Sequence, residues 1–344
     1  MSRRIVILTE GHSNPHTAKT ACSVLRYRGD EVAAILDGTA AGQTTQSLLG
    51  VGGETPVVAS INDVPDADTL LIGIAPPGGK IPPAWRTIIL AAIDRGMNLV
   101  SGLHDFLGDD PEFAQAASAK GVDIYDVRKN TEKNIARCVG VSEDCTRILT
   151  VGHDCSIGKM VTSVEVTNGL KARGADAKFI ATGQTGIMIS DEGCPIDCVV
   201  ADFISGSVER LALENQQHDI LMFEGQGSLV HPSYSSVTLG LLHGSAPHAL
   251  ILCYEVGRTQ VTGIDHLTIP SLSVIKHLNE TMASIWRPCP VIGVSMNSRK
   301  CTPEQAEEER KRTEDELGLP VCDVFRDGSD VLVDLVLDFA ASRK

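Results

Sequence analysis

The sequence predicts an α/β protein made of two successive parallel-sheet domains. Three observations predict it. Short apolar runs alternate with amphipathic helical patterns along all 344 residues, the signature of repeated β-α-β units. Glycine is plentiful and aromatic residues are 4 % of the chain, which suits many tight strand-to-helix turns. One stretch, Arg147 to Met160, reads as apolar strand, glycine-bounded loop, Gly-Lys and helix, the layout of a loop that cradles phosphate.

In the first half, Arg4 to Thr9 reads as a strand and Thr17 to Tyr27 as a helix. Val32 to Leu36 is the next strand, ending at Asp37. This order resembles the first half of a Rossmann-like dinucleotide-binding sheet, but Gly11 stands alone where a glycine fingerprint would be. Gly50-Val-Gly-Gly53 reads as a turn, and Pro56 to Ala59 and Thr69 to Ala75 as strands. Pro76-Pro-Gly-Gly-Lys80-Ile-Pro-Pro83 reads as a rigid loop at a strand's C-terminal end. A helix to Arg95, a strand at Leu99-Val100, a helix from Pro111 to Lys120 and a strand from Val122 to Tyr125 follow. The pattern turns polar and basic from Asp126 to about Asp144, which places the boundary there: residues 1–140 form the Rossmann-like domain and 141–344 a P-loop NTPase-like domain.

In the second half, strands are expected at Ile148 to Val151, Ala177 to Ala181, Asp219 to Glu224, Ala249 to Cys253, Val291 to Val294 and Val321 to Phe325. Helices are expected at Lys159 to Arg173, Asp202 to Asn215, Ser236 to His243 (with Gly244 as its cap), Ser271 to Trp286, Pro303 to Leu317 and Val331 to Ala341. Thr182-Gly-Gln184-Thr185-Gly186 reads as a loop beside the phosphate site.

The net charge of −14 argues against nucleic acid, because no basic stripe is present to neutralise a phosphate backbone. Ten cysteines are scattered. The one close pair, Cys194 and Cys198, is a poor zinc signature. No signal peptide or membrane-length apolar stretch is seen. The expectation is a soluble, reduced, cytoplasmic protein without a metal, with no membrane partner, forming a homo-oligomer.

Gly152, His153, Cys155, Ser156, Gly158, Lys159 and Met160 form the candidate phosphate cradle, with Gln184 and Thr185 beside it. Backbone N–H groups, the helix N-terminus and the lysine all favour an anion there. Met160 stands where a nucleotide hydrolase carries a Ser or Thr hydroxyl on Mg²⁺, and only Thr162 or Ser163 is placed to substitute. Four apolar residues lead into Glu224, a carboxylate at a strand end facing the phosphates. Arg258, just past another strand end, is placed to clamp a substrate carboxylate. Cys155 is the thiol to watch, because a helix N-terminus lowers thiol pKa.

The loop Gly152-His-Asp-Cys-Ser-Ile-Gly-Lys159 resembles that of dethiobiotin synthetases. Taken with Ala181-Thr-Gly-Gln184-Thr-Gly186, Glu224-Gly-Gln226-Gly-Ser-Leu-Val-His231-Pro, Gly240-Leu-Leu-His243-Gly and Glu255-Val-Gly-Arg258, it resembles a bacterial and archaeal family catalogued as a domain of unknown function and linked to D-glutamate N-acetylation. Asn14-Pro-His16-Thr-Ala-Lys19-Thr and Pro76-Pro-Gly-Gly79 carry the resemblance into the first half. It implies an acetyl-CoA-dependent D-glutamate N-acetyltransferase. Coenzyme A carries phosphates that need no Mg²⁺ to be held. Glu224, Asp154 and His231 are the base candidates, Glu224 first. The N–H groups of Gly225 to Gly227 are placed for an oxyanion, and Gln226, Tyr234, His243 and Arg258 for the acceptor. The alternatives are a Mg-ATP-dependent carboxylase or ligase resembling dethiobiotin synthetase, and a non-catalytic nucleotide- or CoA-binding module.

Overall fold

A computed structural model describes residues 3–74 and 79–343. Pro76, Pro77 and Gly78 of the expected proline-glycine loop therefore lie outside the described residues. The chain divides into two compact units, residues 1–129 with 187–191, and residues 130–186 with 192–344.

The first unit carries strands β1 (Ile5–Leu8), β2 (Val32–Leu36), β3 (Val57–Val58), β4 (Thr69–Ile72), β5 (Asn98–Ser101) and β6 (Ile124–Asp126). They form one parallel sheet in the order β3-β2-β1-β4-β5-β6, the order of a doubly wound dinucleotide-binding sheet. Helices α1 (Lys19–Tyr27), α2 (Thr45–Leu49), α3 (Arg86–Asp94) and α4 (Pro111–Lys120) connect it. The expected Gly50 turn is the left-handed cap of α2, a one-turn helix that was not anticipated because five residues show no periodicity. Asp110 accepts from the N–H groups of Glu112 and Phe113 and so starts α4, as N-cap chemistry requires.

The second unit is a second parallel sheet, in the order β14-β13-β10-β7-β9-β8. Its strands are β7 (Thr146–Gly152), β8 (Ala177–Ile180), β9 (Ile220–Phe223), β10 (Ala249–Glu255), β13 (Val291–Asn297) and β14 (Val321–Cys322). A two-stranded antiparallel hairpin, β11 (Gln260–Val261) and β12 (Ile264–Thr268), follows β10. The helices are α5 (Lys159–Ala172), α6 (Gln184–Ser190, of which residues 187–190 fall in the first unit), α7 (Ile204–Asn215), α8 (Ser235–Ser245), α9 (Leu272–Ala283), α10 (Pro303–Leu317) and α11 (Asp330–Ser342). Alternate residues of the central strands feed two cores. Leu149, Leu221, Leu250 and Leu252 pack on one face; Ile148, Met222, Ile251 and Cys253 pack on the other with α5 and α11. That is what period-two side chains on a sheet covered on both faces dictate.

Three details differ from expectation. Gln184 and Thr185 open α6 and are not in a loop. Ala246, not Gly244, takes the left-handed position after α8. A Cβ on Gly244 would lie 2.3 Å from Ser205 O, so that glycine lets α7 approach. The basic segment after residue 130 is pinned rather than solvated. Glu209 accepts from the N–H groups of Arg137 and Cys138, Arg210 pairs with Glu132 at 2.7 Å, and a Cβ on Gly206 would fall 1.9 Å from Asn134 O.

Candidate active site

Parallel strands end at one edge, so the loops after β7, β8, β9, β10 and β13 gather there. β7 lies between β9 and β10. That single fact places the Gly152–Lys159 loop between Glu224, which follows β9, and Glu255, which ends β10.

The loop is built on exceptions to ordinary backbone. Gly158 has φ +113° and Ser156 φ +55°, and a Cβ on Gly152 would meet Cys253 O at 2.8 Å. Lys159 is buried, and its ammonium donates to Asp154 O at 2.6 Å. Burial depresses its pKa, as desolvation of a cation must. Its stem passes Gly225, where an added Cβ would lie 1.7 Å from Thr150 O and 3.1 Å from Lys159 Cδ; only glycine fits. His153 is buried, and burial lowers its pKa to about 4. Glu255 N–H approaches His153 Nε2 at 3.3 Å. The same nitrogen lies 3.4 Å from Glu255 O, while Nδ1 is buried without a partner among the described residues. A buried lysine folded back on Asp154 O, a buried ring nitrogen without a partner among the described residues and left-handed backbone at Ser156 and Gly158 fit an anion site.

Glu224 is the titratable centre. Its Oε2 accepts from Thr182 N–H at 2.9 Å and Gly183 N–H at 3.0 Å. Burial nonetheless pushes its carboxyl up to about 7; those two bonds and the Lys159 charge offset the burial only in part. A carboxylate held at that pKa can take and return a proton near neutrality. Gly183 and Gly186 make room for it, since a Cβ on either would lie 3.1 and 2.3 Å from its carboxylate oxygens.

The other base candidates are differently employed. Asp154 is fully buried and accepts from Arg258 Nη1 at 2.9 Å, Thr262 Oγ1 at 2.6 Å and Thr262 N–H at 3.0 Å. Burial raises its pKa, but the bonds from Thr262, Cys155 N–H and Arg258 together bring it below the ordinary range, so it is a fixed anion. His231 is buried; Ser233 N–H donates to its Nδ1 at 3.2 Å, and its Nε2 meets Thr262 O at 3.1 Å. Both ring nitrogens are thus engaged, Nδ1 within its own loop and Nε2 in tying that loop to the β11–β12 hairpin. The Cys155 thiol, an Asp154 oxygen and a His231 nitrogen lie within 4.8 Å of one another, with Arg258 donating into the same group.

Arg258 does clamp carboxylates, but the protein's own: Asp154 and, through Nη2, Glu255. It also donates to Cys155 O at 2.8 Å. Its guanidinium is thus engaged within the chain, where a clamp on substrate was expected. Gly225 N–H is likewise spent, on Thr150 Oγ1 at 2.9 Å, and leaves the expected oxyanion set. Thr162 Oγ1 bonds Ser295 Oγ at 2.7 Å, and Ser163 Oγ bonds Thr150 Oγ1 at 3.0 Å and Phe223 O at 3.2 Å. Both hydroxyls are buried beneath the loop, away from the position that follows the lysine, where the half-buried Met160 stands.

Gln226 donates to Thr182 O and Oγ1, which joins the β9 loop to the β8 loop. Tyr234 is half exposed, its ring 4.5 Å from that of His231. Gln184 Nε2 meets Thr185 Oγ1 at 3.4 Å in the first turn of α6. His243 is the residue the fold separates from the rest. It lies in the last turn of α8, whose end receives bonds from Arg147 at the start of β7, the opposite end of that strand from the loop. The residues not anticipated are Thr262 and Thr150; Thr182 and Glu255 stood in stretches already singled out, without a role of their own. Thr262-Gly263, between Val261 and Ile264, was a readable two-residue hairpin turn.

The chain matches two family models. Residues 38–130 match the DUF1611_N Rossmann-like domain and residues 129–333 the DUF1611_C P-loop domain, each described as a domain of unknown function. It is 39 % identical over 322 residues to a D-glutamate N-acetyltransferase of Tritonibacter scottomollicae, covering 92 % of this chain and 93 % of that protein. It is 41 % identical over 268 residues to a D-glutamate N-acetyltransferase of a Pseudoalteromonas species, covering 78 % and 80 %. A crystal structure of a DUF1611 family protein from Anabaena variabilis superposes with a TM-score of 0.91 at 37 % identity, over 98 % of this chain and 99 % of that one. Among the described residues, no helix is long and apolar enough to cross a membrane.

Proposed function

The chain belongs to the DUF1611 family and is an N-acetyltransferase; from that premise we propose that it moves the acetyl group of acetyl-CoA onto the amino group of D-glutamate. The Gly152–Lys159 loop holds phosphates of the carrier, and Glu224 is the general base. The observation that carries this reading is Glu224 itself, a buried carboxyl raised to about 7 at the end of the strand next to the loop that carries the buried Lys159.

The carrier supplies an activated thioester. The residues of the chain do the rest. Glu224 takes the proton lost by the amine as its nitrogen forms the new C–N bond and the C–S bond breaks, and it can return that proton to the departing thiolate. Lys159 and the loop N–H groups hold phosphate by charge and backbone donation. No hydroxyl after the lysine is drawn on, since Thr162 and Ser163 are bonded elsewhere. His153 Nδ1, buried without a partner among the described residues, donates to the anion in its Nδ1–H tautomer. Asp154, Arg258 and Thr262 keep the loop in shape, and Gln226 and Tyr234 form the acceptor side.

The test is free-thiol release from acetyl-CoA against a panel of D- and L-amino acids, with thermal shifts for CoA and Mg-ATP beside it. D-Glutamate should release thiol and L-glutamate should not. Thiol release that does not depend on an amino acid would sink this reading as thioester hydrolysis, and a larger shift with Mg-ATP than with CoA would sink it in favour of a ligase.

A further inference from the structure

The loop after β13 sets two cations beside the phosphate-binding loop. Asn297 Nδ2 donates to Ile157 O at 3.1 Å, one residue before Gly158. Ser298 is locked beneath by Asp323, at 2.8 and 2.6 Å, and by Arg326 at 3.0 Å. Arg299 and Lys300 project from this braced turn. Arg299 approaches Glu255 Oε1 through Nη2 at 2.8 Å, and Lys300 Nζ approaches the same oxygen at 3.2 Å.

Glu255 is buried and already paired with Arg258. One carboxylate therefore faces three cations. With Lys159 and Arg326 on one side and Asp154, Asp323 and Glu224 on the other, five cationic side chains meet four carboxyls at this edge, and the excess is local to Glu255. Burial raises the pKa of Glu255, yet Arg258 and then Arg299 bring it below the ordinary range, so it stays ionised and the surplus stands. Solvation does not explain the arrangement: the Arg299 and Lys300 side chains remain 44 % and 62 % exposed while aimed at a carboxylate that is 1 % exposed. An immobilised arginine-lysine pair with spare donors is the chemistry that recognises a phosphate monoester.

We infer that Arg299 and Lys300 form a second phosphate subsite, which takes the ribose 3′-phosphate of the carrier whose other phosphates lie in the Gly152–Lys159 loop. This rests on the carrier reading above and adds to it a discrimination. A carrier without the 3′-phosphate should bind more weakly.

Calorimetric titration with CoA and with 3′-dephospho-CoA tests it, using the full chain, Lys300→Gln, Arg299→Gln/Lys300→Gln and Lys159→Ala. The wild type should bind CoA about tenfold or more tightly than dephospho-CoA, as expected for charge-assisted bonds, and the gap should shrink with salt. The double variant should bind both ligands at the wild-type dephospho-CoA affinity, and Lys300→Gln, at an exposed side chain, should fall between. Lys159→Ala should weaken both ligands. Equal wild-type affinities for the two ligands would overturn the subsite while leaving the carrier reading intact. So would an equal loss of both ligands in the double variant. Failure of the wild type to bind either ligand would remove both inferences together.

Discussion

Two sheet edges in this chain carry carboxylates in equivalent places, and they do opposite things with them. At the edge of the first sheet, Asp37 follows β2. It accepts from Ser13 Oγ, Thr39 N–H at 3.0 Å and Thr39 Oγ1 at 2.7 Å. Burial raises its pKa, but those bonds outweigh it and the result lies below the ordinary range. Glu10, after β1, accepts from Gly38 N–H at 2.6 Å. At the edge of the second sheet, Glu224 has two N–H donors, yet burial wins and the carboxyl rises to about 7. Deeper desolvation with two donors makes Glu224 a base, and shallower desolvation with more donors makes Asp37 a latch. The first edge has turned the ribose-binding position of a dinucleotide fold into a turn lock.

The sharpest way to break this contrast is Glu224→Gln. The amide oxygen can still accept from Thr182 and Gly183, so the fold should persist while kcat falls about 10²- to 10⁴-fold. In the wild type, kcat/KM should rise with pH and level off above about 7, because the base works only when ionised. Stability should run the other way. A carboxyl whose folded pKa exceeds its unfolded value stabilises the fold below the unfolded value, and that contribution is lost as pH rises through about 7. The wild-type Tm should therefore drop between pH 5 and 8 more than that of Glu224→Gln. Parallel Tm curves would remove the buried-acid argument.

Arg258→Met sharpens the same edge. It takes from Asp154, which is 0 % exposed, its ion-pair partner, and from Glu255 one of three cations, and removing one partner of a buried ion pair costs about 3–5 kcal/mol. A large fall in Tm is expected. An unchanged Tm with a raised KM for D-glutamate would return Arg258 to the role of acceptor clamp that its position suggested.

What could be read from the sequence follows from what is local. The Gly152–Lys159 loop was legible because strand, glycines and lysine are contiguous, and Glu224 because four apolar residues lead into it. The helix Pro303–Leu317 was legible from Thr302-Pro303, and Thr302 and Gln305 do form the capping box. What was not legible is who pairs with whom. Arg258 is next to Glu255 in the chain, but its partnership with Asp154 spans 104 positions and depends on β10 lying beside β7. The commitment of His231 to Thr262 depends on a hairpin whose strands are two and five residues long. The polar segment after residue 130 looked like a linker because its anchors, Gly206 and Glu209, sit on α7. Gly206→Ala tests that anchoring. Its Cβ meets backbone at 1.9 Å, and the overpacking should cost about 1–3 kcal/mol, read as a lower denaturation midpoint with kcat little changed.

The smallest effect belongs to the first edge and completes the comparison. Asp37→Asn removes a charge that serves only the turn formed with Ser13 and Thr39, so kcat should stay within about twofold, while stability falls by about 1 kcal/mol at neutral pH. The pH dependence has the opposite sign to that of Glu224. An acid whose folded pKa is depressed stabilises the fold above its unfolded pKa and ceases to do so as pH falls through the folded one. The gap in Tm between wild type and Asp37→Asn should thus be open at pH 7 and close in acid. A tenfold loss of kcat, or a Tm gap that widens as pH falls, would mean that the first edge takes part in the chemistry and that the two carboxylates differ in degree rather than in kind.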